Sequence, residues 1–432
     1  MSCVMRGITG LVVALALACV APLMAAEVDD YRGQKPKRQT LVIQGGTLFD
    51  GTGAEPRPNH AIVVTDVLIA HVGERIAVPD GATVIDAKGL AILPGLIDLH
   101  VHFGAPSAES KGLSGPETMR DYVRQRPKVR RSLHRAGVTT IRSVGDVLFS
   151  ILELKRQIRE RELAGPRVYT AGPMFTAPKG HPISTIFKGN PFLIATATRQ
   201  VRQVERARAE VRKLASAGVD GVKIIYEGDG GLPRLPFDVM QAIADEAHKQ
   251  GLWVAVHTSK AQEVRDALRA GADTIEHGVT SGNLDDETIA LLRKRDVTYI
   301  PTLAVLDSLS NGAATKRPSK NVKAALEGGV RIGAGTDCQG LTMSFGRSLH
   351  RELELLVAAG LTPAQALLAA TRDAAVALKV EKVLGTVEPG KWADLVLVAG
   401  RPWERISDTQ HVRVVVQGGC VVVDQRESEN AP

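Results

Sequence analysis

The strongest constraint on the fold of this chain is an alternation. Eight β-rich runs, "LIDLHVHF", "GVTTIRSVGD", "RVYTAG", "GVKIIYEG", "LWVAVHTS", "ADTIEHGV", "VTYIPTL" and "VRIGAGTDC", follow one another with helical stretches between them. Segments such as "RQVERARAEVRKLASAG" and "FDVMQAIADEAHKQG" carry helical spacing and stop at Gly. This is an α/β pattern, and it admits a closed (β/α)8 TIM barrel or an open doubly wound sheet. The barrel is preferred because polar residues gather at the C-terminal ends of the runs, where barrel active sites form. It is expected over residues 94–384. Residues 39–93 and 385–425 read as strands and tight turns ("TLVIQGGTLFDGTG", "GTVEPGKWADLVLVAG", "HVRVVVQGGCVVVD"). Each end is too short for a domain, so one small β-sandwich built from both is expected.

The first 26 residues stand apart. Arg6 precedes "ITGLVVALALACVAPLMAA", an apolar stretch ending in small residues, which reads as a signal peptide cut near Ala25 or Ala26. Pro22 breaks the run, which argues against a transmembrane anchor. A lipoprotein site at Cys19 fits poorly, since Ala16 stands where a larger aliphatic residue is usual. The expected mature chain is exported, periplasmic or secreted, and does not insert in a membrane. Of the four cysteines, Cys338 and Cys420 remain after cleavage, too few for a disulfide scaffold. The core must therefore supply the stability, and a chain 44% hydrophobic can do so. The net charge of +7 raises the question of nucleic acid. The densest basic run, "RDYVRQRPKVRRSLHR" at 120 to 135, has almost no aromatic residues and contains Pro127, so a solvated helix face is expected and no nucleic-acid partner.

Chemistry concentrates at the run ends. "AILPGLIDLHVHF" closes with His100 and His102, which share one strand face because successive side chains alternate. His257 ends "LWVAVH", His277 ends "ADTIEH" and Asp337 ends "VRIGAGTD". In a barrel these ends converge on one mouth, and four imidazoles with a carboxylate suit zinc. Lys223, in the apolar fourth run, would cost desolvation without a specific role. Taken singly, His257 or His277 could be a satisfied core histidine, Lys223 could reach the barrel rim, and Asp337 could serve its turn. Together they fall one βα unit apart, with two units before Asp337.

These motifs, with "GVKII", "TIEHG", "GTD" and the tail "GTVEPGKWADLVL", resemble the amidohydrolase superfamily over nearly all of the chain after residue 26. The resemblance implies two divalent metal ions, zinc by preference. His100, His102 and Asp337 would hold one and His257 and His277 the other, with Lys223 bridging as a carbamate formed with carbon dioxide. It further implies that Asp337 is catalytic, accepting a proton from the attacking water and passing it to the leaving amine. The mononuclear deaminase branches carry a Glu a few residues after the strand-five histidine; here no acid follows His257 until Glu263, which favours amide hydrolysis. The nearest branch is prolidase-like. By that likeness Tyr226 and His181 are the candidate substrate contacts, the substrate being a dipeptide or N-acyl-amino acid with a free carboxylate. Arg142 is expected to pair with Asp146 or to meet that carboxylate. Hydrolysis of a lactam, lactone or carbamate stays open, as do a catalytically silent exported binding protein and a homo-oligomer.

Overall fold

The computed structural model describes residue 33 and residues 40–74, 76–103, 115–339 and 343–426. The expected signal peptide, and with it Cys19, lies outside the described residues.

The two chain ends do meet in one sheet. Strands Thr40–Leu48, Arg57–Thr65, Leu68–Gly73, Thr83–Asp86 and Leu90–Pro94 come from the N-terminal side, and Leu395–Ala399, Val412–Gln417 and Cys420–Asp424 from the C-terminal side. The seam is antiparallel, with Leu395 opposite Pro94 and Ala399 opposite Leu90. Period-two alternation explains why the seam strands are apolar throughout. Leu395 and Leu397 join Ile43, Ile62, Ile92 and Val414 in the sheet's own core, while Val396 and Val398 turn into the central core beneath the helices. A sandwich of two facing sheets was expected, whereas the hydrogen bonds make a single eight-stranded sheet. Thr40–Leu48 explains the difference: along one edge it bonds Thr83–Asp86 through Gln44, and Leu90–Pro94 from Thr47.

Seven of the eight central runs form strands, all parallel to their neighbours. Leu96–Val101, Val138–Ser143 and Arg167–Thr170 make one ladder. Gly221–Ile225, Trp253–His257, Thr274–Glu276 and Thr298–Ile300 continue another, which also holds Met174–Thr176 and Thr198–Gln200. The ring expected of a barrel is thus not closed by ladders. The third run splits at Ala171–Pro173: Arg167–Thr170 pairs back to the second strand, and Phe175 pairs forward with Ile224. Gly172, at φ 62°, makes the bend, and Pro173 has no N–H to carry a ladder through it.

The eighth run forms no regular strand, yet it bonds both neighbours. The Leu99 N–H donates to Ala334 at 2.9 Å, the His102 N–H to Cys338 at 3.0 Å and the Gly333 N–H to Tyr299 at 3.0 Å. The glycines of "IGAG" make this approach feasible. A Cβ on Gly335 would lie 2.9 Å from that of His100, and one on Gly333 would lie 2.7 Å from Leu99. Cys338 and Cys420 form no disulfide. Gly115–Arg135 is the basic helix, but it is not solvated all round: Arg126 and Arg130 are buried, donating to the carbonyls of Ser150 and Ala164. Among the described residues, no helix is long and apolar enough to cross a membrane.

Candidate metal and active site

The strand ends surround a cavity of about 310 Å³, floored by His100, His102, Lys223, His257, His277 and Asp337. Two groups of donor atoms stand out, each with its members within 4.8 Å of one another: His100 with His102 and Asp337, and His257 with His181 and Glu227. The His277 ring lies between them, 4.7 Å from that of His100 and 4.4 Å from that of His257.

Backbone bonds bring the first group together. The Asp337 N–H donates to the His100 carbonyl at 2.7 Å, and Asp98 secures the same junction. Its carboxylate accepts from the Thr336 N–H at 3.0 Å, the Thr336 hydroxyl at 2.8 Å and the His100 N–H at 3.2 Å. Asp337 and His277 both have positive φ, 55° and 61°, as does Thr302 at 48°. Three strained residues at adjoining strand ends re-aim side chains that a straight strand would direct elsewhere. Thr302 then bonds His277 Nδ1 at 2.8 Å, and His277 Nδ1 lies 3.8 Å from Asp337.

The imidazoles are oriented from behind. His100 Nδ1 lies 2.6 Å from Glu276, and His102 Nδ1 lies 3.3 Å from the Gly145 carbonyl. Each ring therefore turns Nε2 toward Asp337, at 3.6 Å from His100 and 3.1 Å from His102. Burial, with Lys223 nearby, lowers the His100 pKa well below the usual value. Burial acts the same way on His102, but the Asp337 hydrogen bond and charge outweigh it and raise that pKa. Asp337 stays ionised: burial opposes this, and the surrounding imidazoles and Lys223 prevail.

Beneath the floor lies a charged layer that sequence reasoning missed. Glu276 is fully buried and meets Arg142 at 2.6 Å and the Thr274 hydroxyl at 2.6 Å as well as His100. Arg142 was expected to pair with Asp146 or a substrate carboxylate. Its remaining donors go to Leu99 and Thr274, so it faces the core instead. The signal for Glu276 was present in "TIEHG", where Thr274 and Glu276 share the inward face. Lys223 Nζ is buried without a hydrogen-bond partner, and burial lowers its pKa to about 8 against the pull of Glu276 and Asp337.

The two substrate candidates part company. His181 lines the cavity with its ring stacked 5.0 Å from that of His257, and burial and the His257 charge lower its pKa to about 4. Tyr226 does not line it. Its hydroxyl approaches Asp266 at 3.4 Å and the Arg234 guanidinium lies 4.4 Å above its ring. Alternation is the reason: Lys223, Ile225 and Glu227 face the cavity, so Tyr226 faces away. The same parity would have revealed Glu227. The cavity walls are mainly apolar, with Met174, Phe187, Leu193 and Ile225 on one side and Leu306 and Leu309 on the other. Among the described lining residues, the one Lys or Arg is Lys223.

Comparison with known proteins gives a consistent set of likenesses. The model of the amidohydrolase family matches residues 91–422. Ochratoxinase of Aspergillus niger is 25% identical over 438 residues, covering 91% of this chain and 87% of that protein. Among solved structures, a Xaa-Pro dipeptidase with methionine bound in its active site is 28% identical, with a TM-score of 0.77 over 89% of this chain and 99% of that one. A prolidase complexed with N-methylphosphonate-L-proline is 25% identical, with a TM-score of 0.78 over 90% of this chain and 100% of that one.

Proposed function

The chain belongs to the amidohydrolase family, in its prolidase-like branch, and is a hydrolase of carbon–nitrogen bonds; from that premise we propose an exported enzyme that cleaves a small amide with two divalent ions, zinc by preference. The observation that carries the metal reading is the pair of buried polar atoms, His100 Nε2 and Lys223 Nζ, that have no hydrogen-bond partner on the cavity floor. Buried polar atoms are almost always paired, so two orphans amid imidazoles and a carboxylate suit the binding of a cation. His100, His102, His257, His277 and Asp337 would hold the ions. Lys223, with its pKa near 8, has an uncharged fraction at neutral pH. Its nitrogen can then bond to the carbon of carbon dioxide and release a proton, which converts an unpaired cation into an anionic ligand. Bound zinc supplies a polarised carbonyl and a water acidic enough to attack near neutral pH.

The protein's own share is positioning and proton transfer. Asp337 faces the cavity from the strand end beside the two histidines and is ionised, so it can accept the proton of the attacking water. The same proton then passes to the nitrogen that leaves, since an amide nitrogen departs poorly unprotonated. The apolar walls suit a bulky uncharged group beside the scissile bond. Burying one leucine- or phenylalanine-sized side chain there contributes about 1.5–3 kcal/mol to binding.

Dipeptides and N-acyl-amino acids are the first substrate class, on the family likeness. A second reading, cleavage of an uncharged amide, lactam or carbamate, rests on the absence of a Lys or Arg other than Lys223 among the described lining residues. One assay separates the two: zinc-loaded protein with an apolar dipeptide and with its C-terminal amide. A strong preference for the free acid supports the peptidase reading. Equal cleavage of both refutes carboxylate recognition, and no turnover of any amide or carbamate refutes the hydrolase role.

A further inference from the structure

We propose that Glu227 is itself a metal ligand, joining His257 and His181 in a donor set on one side of the cavity. The inference rests on the metal-hydrolase reading above and adds a carboxylate to it. The geometry begins with alternation, which turns Glu227 onto the same face as Lys223 and Ile225. Glu227 Oε2 contacts His257 Nε2, and a ring nitrogen of His181 lies within 4.8 Å of a ring nitrogen of His257 and a carboxylate oxygen of Glu227. One ion can bridge groups so close together.

The loop that carries Glu227 is held in place from both sides. The Tyr226 N–H donates to the His257 carbonyl at 3.0 Å, which anchors the loop's start to the end of the neighbouring strand. Two residues after Glu227, Asp229 accepts from the Ser259 hydroxyl at 3.0 Å and pairs with Lys260. Ser259 is held in turn by Glu263, which accepts from its N–H at 2.9 Å. A carboxylate on so constrained a loop is pre-organised rather than free to swing out.

Charge supports the same assignment. On one side, His100 and His102 share a fixed anion, Asp337. On the other, His257, His277 and His181 offer only imidazoles. Glu227 supplies the matching anion, so that each divalent charge has its own carboxylate besides whatever Lys223 shares between them. Among the described residues, Glu227 makes its ion pair with His257 and with no Lys or Arg.

The alternative is that Glu227 only orients His257; loss of either role weakens the ion, and the cobalt spectrum distinguishes them because only loss of a ligand changes the ion's coordination. Glu227→Gln keeps an oxygen that can accept from His257 but is a poor ligand. The test is competition of zinc-loaded wild type, Glu227→Gln and His181→Gln with a chromophoric chelator, together with the visible spectra of their cobalt forms. Circular dichroism shows whether each variant is folded. We expect the wild type to hold two ions and Glu227→Gln to hold one with unchanged affinity and the other at least tenfold more weakly, with an altered cobalt spectrum. His181→Gln should weaken that same ion, and it carries the test if Glu227→Gln does not fold. An unaltered cobalt spectrum in both variants, whatever their zinc affinity, would overturn the assignment while leaving the metal reading intact. A wild type that binds no ion would overturn both.

Discussion

Replacing Glu276 by Gln tests whether the buried charged layer governs the site above it. Glu276 serves three partners at once: Oε1 accepts from Arg142 and the Thr274 hydroxyl and Oε2 meets His100 Nδ1, each at 2.6 Å, with Glu276, Arg142 and His100 fully buried. Glutamine is nearly isosteric but has one acceptor oxygen and one NH₂. If its oxygen faces Arg142, the NH₂ faces His100 Nδ1, which must then accept, so the ring proton moves to Nε2 and blocks the nitrogen aimed at Asp337. If the amide turns round, His100 keeps its tautomer and Arg142 meets a donor. Either way the negative charge opposite a buried guanidinium is lost. Breaking such a pair costs about 3–5 kcal/mol, and the lower end, about 3 kcal/mol, is expected because the amide keeps one bond. Loss of the group behind a metal-binding histidine lowers metal affinity about 10–100-fold. Urea unfolding of apo wild type and variant reads the first effect, and zinc competition reads the second. An unfolding free energy within about 0.5 kcal/mol of wild type, the size of a neutral surface change, together with unchanged zinc affinity would refute the reasoning.

Three further outcomes are expected. Asp337→Asn should remain folded and lose nearly all turnover, as measured by product formation at matched metal content; near-wild-type rate would assign the proton transfer elsewhere. Lys223→Ala should hold one fewer ion by elemental analysis and show no response to bicarbonate. A single ion in the wild type, unchanged by zinc and bicarbonate, would exclude the binuclear site. Glu352 is buried, accepts from the Ala304 N–H at 2.6 Å, and has a pKa that burial raises to about 8. The native state therefore holds a proton that the unfolded chain releases near pH 4.3, so this contribution is full below that pH and is lost as pH rises toward 8. Its slope is at most about 1.4 kcal/mol per pH unit, and Glu352→Gln should flatten the fall between pH 5 and 8 in urea titrations; an unchanged slope would show that Glu352 does not carry it.

Periodicity decided much of this protein by itself. The alternation of runs and helices gave the order of the central strands, and strand parity put His100, His102 and Lys223 on inward faces. The run ends named the histidines and the aspartate that the cavity gathers. Parity also contained two results that a likeness to relatives obscured, the outward turn of Tyr226 and the inward turn of Glu227. Tertiary structure decided the rest, because it depends on what a residue meets rather than on its neighbours in sequence. Arg142 and Glu276 find each other only when strands from distant parts of the chain are stacked side by side. The single sheet arises because one strand shares an edge between two partners, a choice made by register. The left-handed backbone at His277, Thr302 and Asp337 is strain that local preference disfavours and only surrounding contacts can hold. Local pattern therefore sets which residues face inward, and packing sets which of them touch.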